Sequence, residues 1–280
     1  MKYFFIFLFF TSFLYSQVIT FSPLPMDKSA KTFLQYKELL EYLEQETGDT
    51  YEFVYSFSYK ELIDNFKKGK IDIVELGPLP FVKLKKDFDD AEPILTFKSK
   101  DGNAFYTCDL VTVNKNISKF SDIEKKAKDI ILTRKLSTCG YLMTEFIFNT
   151  YEKSLKDVEY TYVGTHSKVL LELLLTPDSV GTVKSTVLNK YQHFNFTKIA
   201  HSPPIPGFAF IANKQTVSNK IIQKIQNALL KVDPLHNKKD KELVLNWSTN
   251  TKYGAVKTKA DTYKFVIDAT NSIQIKDMNK

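Results

Sequence analysis

The chain has 280 residues, 43% apolar, 14% aromatic and 25% charged. That supports one large domain or two lobes of average size, and excludes a disordered chain, a collagen-like repeat and, with two cysteines, a disulfide scaffold. The net charge of +7 rests on lysine, Arg134 being the one arginine among 39 basic residues, so no multi-arginine clamp for phosphate or carboxylate can form. Lysines alternate with acids, as in Glu124-Lys125-Lys126-Ala127-Lys128-Asp129, where a nucleic-acid binder would show a one-sided basic stripe, and no nucleic-acid partner is expected.

Met1-Lys2 precedes an apolar run from Tyr3 to Leu14 and then Tyr15-Ser16-Gln17. A basic start, a short apolar stretch and a small residue before a polar one predict a signal peptide over 1–16, cleaved after Ser16. The run is shorter than the roughly 20 residues that span a bilayer, which leaves an uncleaved anchor as the lesser alternative. With no cysteine at the cleavage point a lipoprotein is not expected. The mature chain should be an exported, periplasmic protein with Cys108 and Cys139 in an oxidising compartment.

Val18 to Phe21 reads as extended. From Lys31 to Glu46, Phe33, Tyr36, Leu39, Leu40 and Leu43 recur at helical spacing before Gly48. Tyr51 to Phe57 alternates as a strand, Tyr59 to Lys68 is a helix with Leu62, Ile63 and Phe66 on one face, and Ile71 to Val74 is a buried strand ending at Gly77-Pro78. This β-α-β-α-β order predicts a parallel sheet with crossover helices.

A long strand-like run, Phe105 to Val113, begins a second unit. A charged helix, a strand at Ile130 to Leu132 and a helix from about Ser137-Thr138 follow. Then come a strand at Tyr160 to Val163, an apolar helix from His166 to Leu175, a strand at Ser179 to Val183 and a helix from Lys184. An extended run from Ala209 to Ala212 leads into an amphipathic helix at Val217 to Val232. The expected architecture is an α/β clamshell, each lobe a mostly parallel sheet flanked by helices. Lobe 1 is assigned to 17–110 with 213–280 and lobe 2 to 111–212, with crossings near 108–114 and 206–213.

Three strand-to-helix turns carry polar groups. Ser137-Thr138-Cys139-Gly140 offers hydroxyls and backbone N–H groups at a helix start, where an anion is favoured. Gly164-Thr165-His166 sets a histidine at a second such turn, at the carboxyl end of a strand, where open α/β sheets bind ligands. Tyr59 opens the helix after the Tyr51–Phe57 strand, and Gly77-Pro78 permits close backbone approach.

The order of these features resembles the periplasmic solute-binding proteins of phosphonate, phosphite and phosphate ABC transporters. Pro23-Leu24, Ser58-Tyr59, Gly69-Lys70-Ile71-Asp72 and Gly77-Pro78 are similar to that family's first lobe. Ser137-Thr138-Cys139-Gly140 resembles its anion loop, Gly164-Thr165-His166 its Gly-x-His turn, and Ser202-Pro203-Pro204-Ile205-Pro206 its return crossing. The resemblance spans about residues 20 to 232. It implies that Ser137, Thr138 and His166 donate to an oxyanion, that Tyr59 donates from the first lobe, and that Tyr106 lines the cleft. It implies a monomer that binds a small oxyanion without cofactor or metal and meets an inner-membrane ABC permease or a membrane sensor. Members that take aminoalkyl phosphonates carry acids for the ammonium, where this chain has Thr186 and Phe208, so an ammonium-bearing ligand is disfavoured.

Cys139 stands where the family more often has a hydroxyl. Ordinary buried thiols are the leading expectation for Cys108 and Cys139, with a disulfide or a site for a thiophilic ligand such as arsenite as alternatives. A Cys139–His166 hydrolase is a remote alternative, since no recognised protease, hydrolase or P-loop signature accompanies the pair.

Overall fold

The computed structural model describes residues 16–26 and 28–273, so the signal-peptide segment lies outside the described residues except for Ser16. In the first part of the chain β1 (Val18–Pro23), α1 (Ser29–Thr47), β2 (Thr50–Phe53), α2 (Tyr59–Lys67), β3 (Ile73–Leu76), α3 (Pro78–Asp87) and β4 (Ala91–Phe97) precede β5 (Phe105–Tyr106). Next come β6 (Cys108–Thr112), α4 (Ile123–Lys126), β7 (Ile130–Leu132), α5 (Met143–Asn149), β8 (Tyr160–Tyr162), α6 (His166–Leu175), β9 (Val180–Lys184), α7 (Ser185–Leu188) and β10 (Thr197–His201). The chain returns through β11 (Ile205–Pro206) to β12 (Ala209–Asn213), α8 (Asn219–Leu230), α9 (Lys238–Leu243), β13 (Ala255–Lys257) and α10 (Lys264–Ser272).

Two helix-flanked sheets result, ordered β13-β4-β12-β3-β1-β2 and β10-β6-β9-β7-β8. The expected β-α-β-α-β order is present, with β1 parallel to both β2 and β3. In the second sheet β7 is parallel to β8 and β9. The sheets are mixed rather than mostly parallel, because the strands next to the crossings, β12 and β6, run antiparallel to their neighbours.

A two-stranded antiparallel ladder of β5 and β11, pairing Tyr106 with Ile205, joins the units. The crossings therefore lie at 105–106 and 205–206, while Cys108–Thr112 already belongs to the second sheet and Ala209–Asn213 to the first. The expected boundaries at 110/111 and 212/213 fall inside or at the end of these strands. Both strands are buried throughout, so no change of hydrophobic pattern marks where one sheet hands over to the other.

Local sequence explains the elements that frame the cleft. Leu39, Leu40 and Leu43 bury one face of α1, which Gly48 ends with φ of 70°. Ser58 caps α2 by accepting from the Glu61 N–H at 3.1 Å, and Thr165 caps α6 from the Lys168 N–H at 3.2 Å. The C-terminal segment touches both units: Tyr263 packs on Phe81 of α3, and Phe265 on Phe146 of α5. Among the described residues no helix is long and apolar enough to cross a membrane.

Candidate functional site

The carboxyl ends of β3, β7, β8 and β9 face one another across a cavity of about 910 Å³. Tyr59, Gly77, Pro78, Tyr106, Ser137, Thr138, Cys139, His166 and Thr186 all line it. Residues separated by up to 127 positions are thus gathered at the meeting point of two sheets, where α/β folds hold small ligands.

Three polar groups share one arrangement. Ser137 caps a π-helical turn (138–142) and its Oγ accepts the Gly140 N–H at 3.1 Å. Thr138 Oγ1 accepts the Leu79 N–H at 3.1 Å, a bond from the first unit to the second. His166 Nδ1 accepts the Lys184 backbone N–H at 3.2 Å, which places the neutral ring's proton on Nε2. In each case a backbone N–H occupies an acceptor site; Ser137 and His166 each keep a polar hydrogen, while Thr138 also meets the Tyr106 hydroxyl. Neutral donors of this kind suit an oxyanion without a guanidinium.

Burial, then the nearby Lys184 and Arg134 cations, pushes the His166 imidazolium down to about 4. The ordinary value is about 6.5, so the folded state favours the neutral ring. This stabilisation is fully present above about pH 6.5 and is lost as pH falls toward 4. His166→Gln should therefore lose less stability than the parent between pH 7 and 4 in melting curves. Parallel pH profiles would count against a buried neutral imidazole.

Tyr59 departs from its expected role. Its hydroxyl donates to the Pro80 carbonyl at 2.9 Å within the first unit, so its proton is committed and the cavity meets only the oxygen's remaining lone pairs. Tyr106 is buried with its hydroxyl against the Thr138 side chain, and burial holds its pKa above the usual tyrosine range. Gly77 lines the cavity beside Phe208, and a Cβ there would meet the Phe208 ring at 3.4 Å, an ordinary packing contact.

The cysteines are joined. Cys108, at the start of β6, and Cys139, in the turn that Ser137 caps, form a disulfide with a Cα–Cα separation of 5.3 Å. The leading expectation of two ordinary buried thiols is overturned, and no thiolate remains for a soft ligand or a Cys139–His166 nucleophile. Cys139 belongs to the cavity wall as half of a cross-link.

Three charged groups at or near the site lie outside the motifs. Arg134 lines the cavity and donates from Nη2 to the Met26 carbonyl at 3.0 Å, a second tie across the cleft. Lys184 ends β9 at the cavity wall. Glu75, 1% exposed in β3, accepts from the Tyr36 hydroxyl, and desolvation pushes its carboxyl up to about 7.

Comparison with known proteins agrees with this fold. The family described as "ABC transporter, phosphonate, periplasmic substrate-binding protein" matches residues 21–263. PhnD1 from Prochlorococcus marinus, solved in complex with methylphosphonate, is 16% identical over 91% of this chain and 98% of that chain, with a TM-score of 0.72. A Xanthomonas citri protein bound to chloride ion is 17% identical over 92% and 98%, TM-score 0.73. A binding protein component of an ABC phosphonate transporter from Pseudomonas aeruginosa is 19% identical over 91% and 85%, TM-score 0.67. At these identities the likeness is one of fold, the two-lobe α/β architecture described above.

Proposed function

This chain belongs to the periplasmic substrate-binding protein family of phosphonate ABC transporters, and we propose that it captures a small oxyanion of the phosphate, phosphite or phosphonate type between its two sheets. It then delivers that ligand, as a monomer, to an inner-membrane permease. The observation that carries this reading is the convergence of Ser137, Thr138 and His166 on one cavity, each with an acceptor site held by a backbone N–H. The methylphosphonate held by the similar PhnD1 supports the ligand class.

Tyr106 and Thr186 complete the wall, and Gly77-Pro78 supplies the approach from the first unit. The two hydrogen bonds across the cleft, Leu79 to Thr138 and Arg134 to Met26, are contacts through which closure would be coupled to the anion loop.

Calorimetric titration with phosphate, phosphite, methylphosphonate and sulfate tests the reading. At least one phosphorus oxyanion should bind, and Ser137→Ala and His166→Ala should each weaken it by about 1–3 kcal/mol. If none of the phosphorus oxyanions binds, the reading is wrong.

A further inference from the structure

Lys184 stands on the cavity wall with its ammonium 4.1 Å from the centre of the Tyr106 ring. A lysine usually keeps its head in water or pairs it with a carboxylate. Lys184 is partly buried, and among the described residues no ion pair holds it. The charges that act on it are more distant: Asp101 and Glu75 favour its charged form, and Lys190 opposes it. Glu75 is itself engaged by Tyr36 in the buried strand β3. Desolvation lowers the ammonium to about 8, so it is mostly charged at neutral pH.

The Tyr106 ring places this cation beside the anion loop, because the same residue carries its hydroxyl against Thr138. His166 feels the charges of both Lys184 and Arg134. The charged part of the lining is nearly all cationic: Lys98, Lys100, Arg134, Lys135, Lys184 and Lys190 stand against Asp101 alone. Such a cavity attracts negative charge and repels an ammonium group.

We infer that Lys184 is a ligand-contacting residue whose fixed cation selects phosphonate- or phosphate-type anions that carry no ammonium group. The inference rests on the oxyanion reading above and extends it: the hydroxyl and imidazole donors hold the oxygens, while Lys184 sets which substituents are admitted. A neutral donor set does not itself repel an ammonium; without a carboxylate at Thr186 or Phe208 it only leaves that charge uncompensated. A lysine poised over an aromatic ring does repel it, since it meets the anion attractively and a second ammonium repulsively.

The experiment is calorimetric titration of the full mature chain and three variants with methylphosphonate and 2-aminoethylphosphonate. The parent should bind methylphosphonate at least about tenfold more tightly than 2-aminoethylphosphonate. Lys184→Met should lose about tenfold or more in methylphosphonate affinity, whereas Lys184→Arg should stay within about threefold of the parent. Lys184→Glu should bring the preference toward 2-aminoethylphosphonate. Methylphosphonate affinity unchanged in Lys184→Met, or a parent that prefers 2-aminoethylphosphonate, overturns the inference while leaving the oxyanion reading intact. A parent that binds neither compound, nor phosphate or phosphite, overturns both. Should Lys184→Met show no ligand-free melting transition, the parent's preference together with Lys184→Glu decides.

Discussion

Replacing Gly140 with alanine should cost at least about tenfold in oxyanion affinity and about 1–3 kcal/mol in stability. A Cβ on Gly140 would come within 2.3 Å of Thr133 Oγ1, 2.9 Å of the Arg134 carbonyl oxygen and 3.0 Å of Ser137 Cβ. The Arg134 oxygen is backbone and cannot rotate aside, and it also accepts the Ser137 N–H at 3.0 Å. Relief therefore requires the loop to open. The Gly140 N–H that Ser137 Oγ accepts then moves away, and so does the carbonyl held by Thr144 Oγ1 at 2.6 Å. Ser137 and Thr138 would be displaced together, which is why binding should suffer along with the fold. Titration and thermal melting read the two effects separately. An alanine variant matching the parent in both would show that the close approach at Gly140 is not structural.

The residues that define the anion loop were legible in the sequence because strand-to-helix turns are local. Ser137 and Thr165 have the side chains a helix start requires, and the strands before them are short. Helix α3 was not legible: Pro78-Leu79-Pro80 reads as a turn. The structure starts the helix at Pro78, where the first N–H groups have no intrahelical partner to lose, so both prolines fit. Lys184 was hidden for a different reason. At the end of an apolar strand a lysine ordinarily marks the solvated edge, and only the register that sets Cys108 opposite Lys184 and the cation above Tyr106 places it in the cleft. Tyr59 shows the converse: the motif located it correctly on the cavity wall, but the Pro80 carbonyl that takes its proton comes from another helix, and chain order does not show that contact.

Loss of the Cys108–Cys139 bond should lower stability by about 3–4 kcal/mol, the chain-entropy value for a loop of this size, given the 31-residue separation of the two cysteines. Cys108 is anchored independently, since its backbone N–H donates to Ser202 Oγ at 2.9 Å and β6 pairs with both β9 and β10. The bond therefore ties the anion loop to a strand that is already fixed just beyond the crossing at β5. A Cys108→Ala, Cys139→Ala double variant removes the tie without leaving a thiol free to pair with another molecule. Its melting temperature should fall by roughly 10 °C, and dithiothreitol should shift the parent by a similar amount while leaving the variant unmoved. The intact loop hydrogen bonds of Ser137 and Thr144 should let the variant keep its oxyanion affinity within about threefold, so that the cross-link acts on stability more than on recognition. A variant melting within about 2 °C of the oxidised parent would mean that the bond adds nothing the surrounding strands do not already supply.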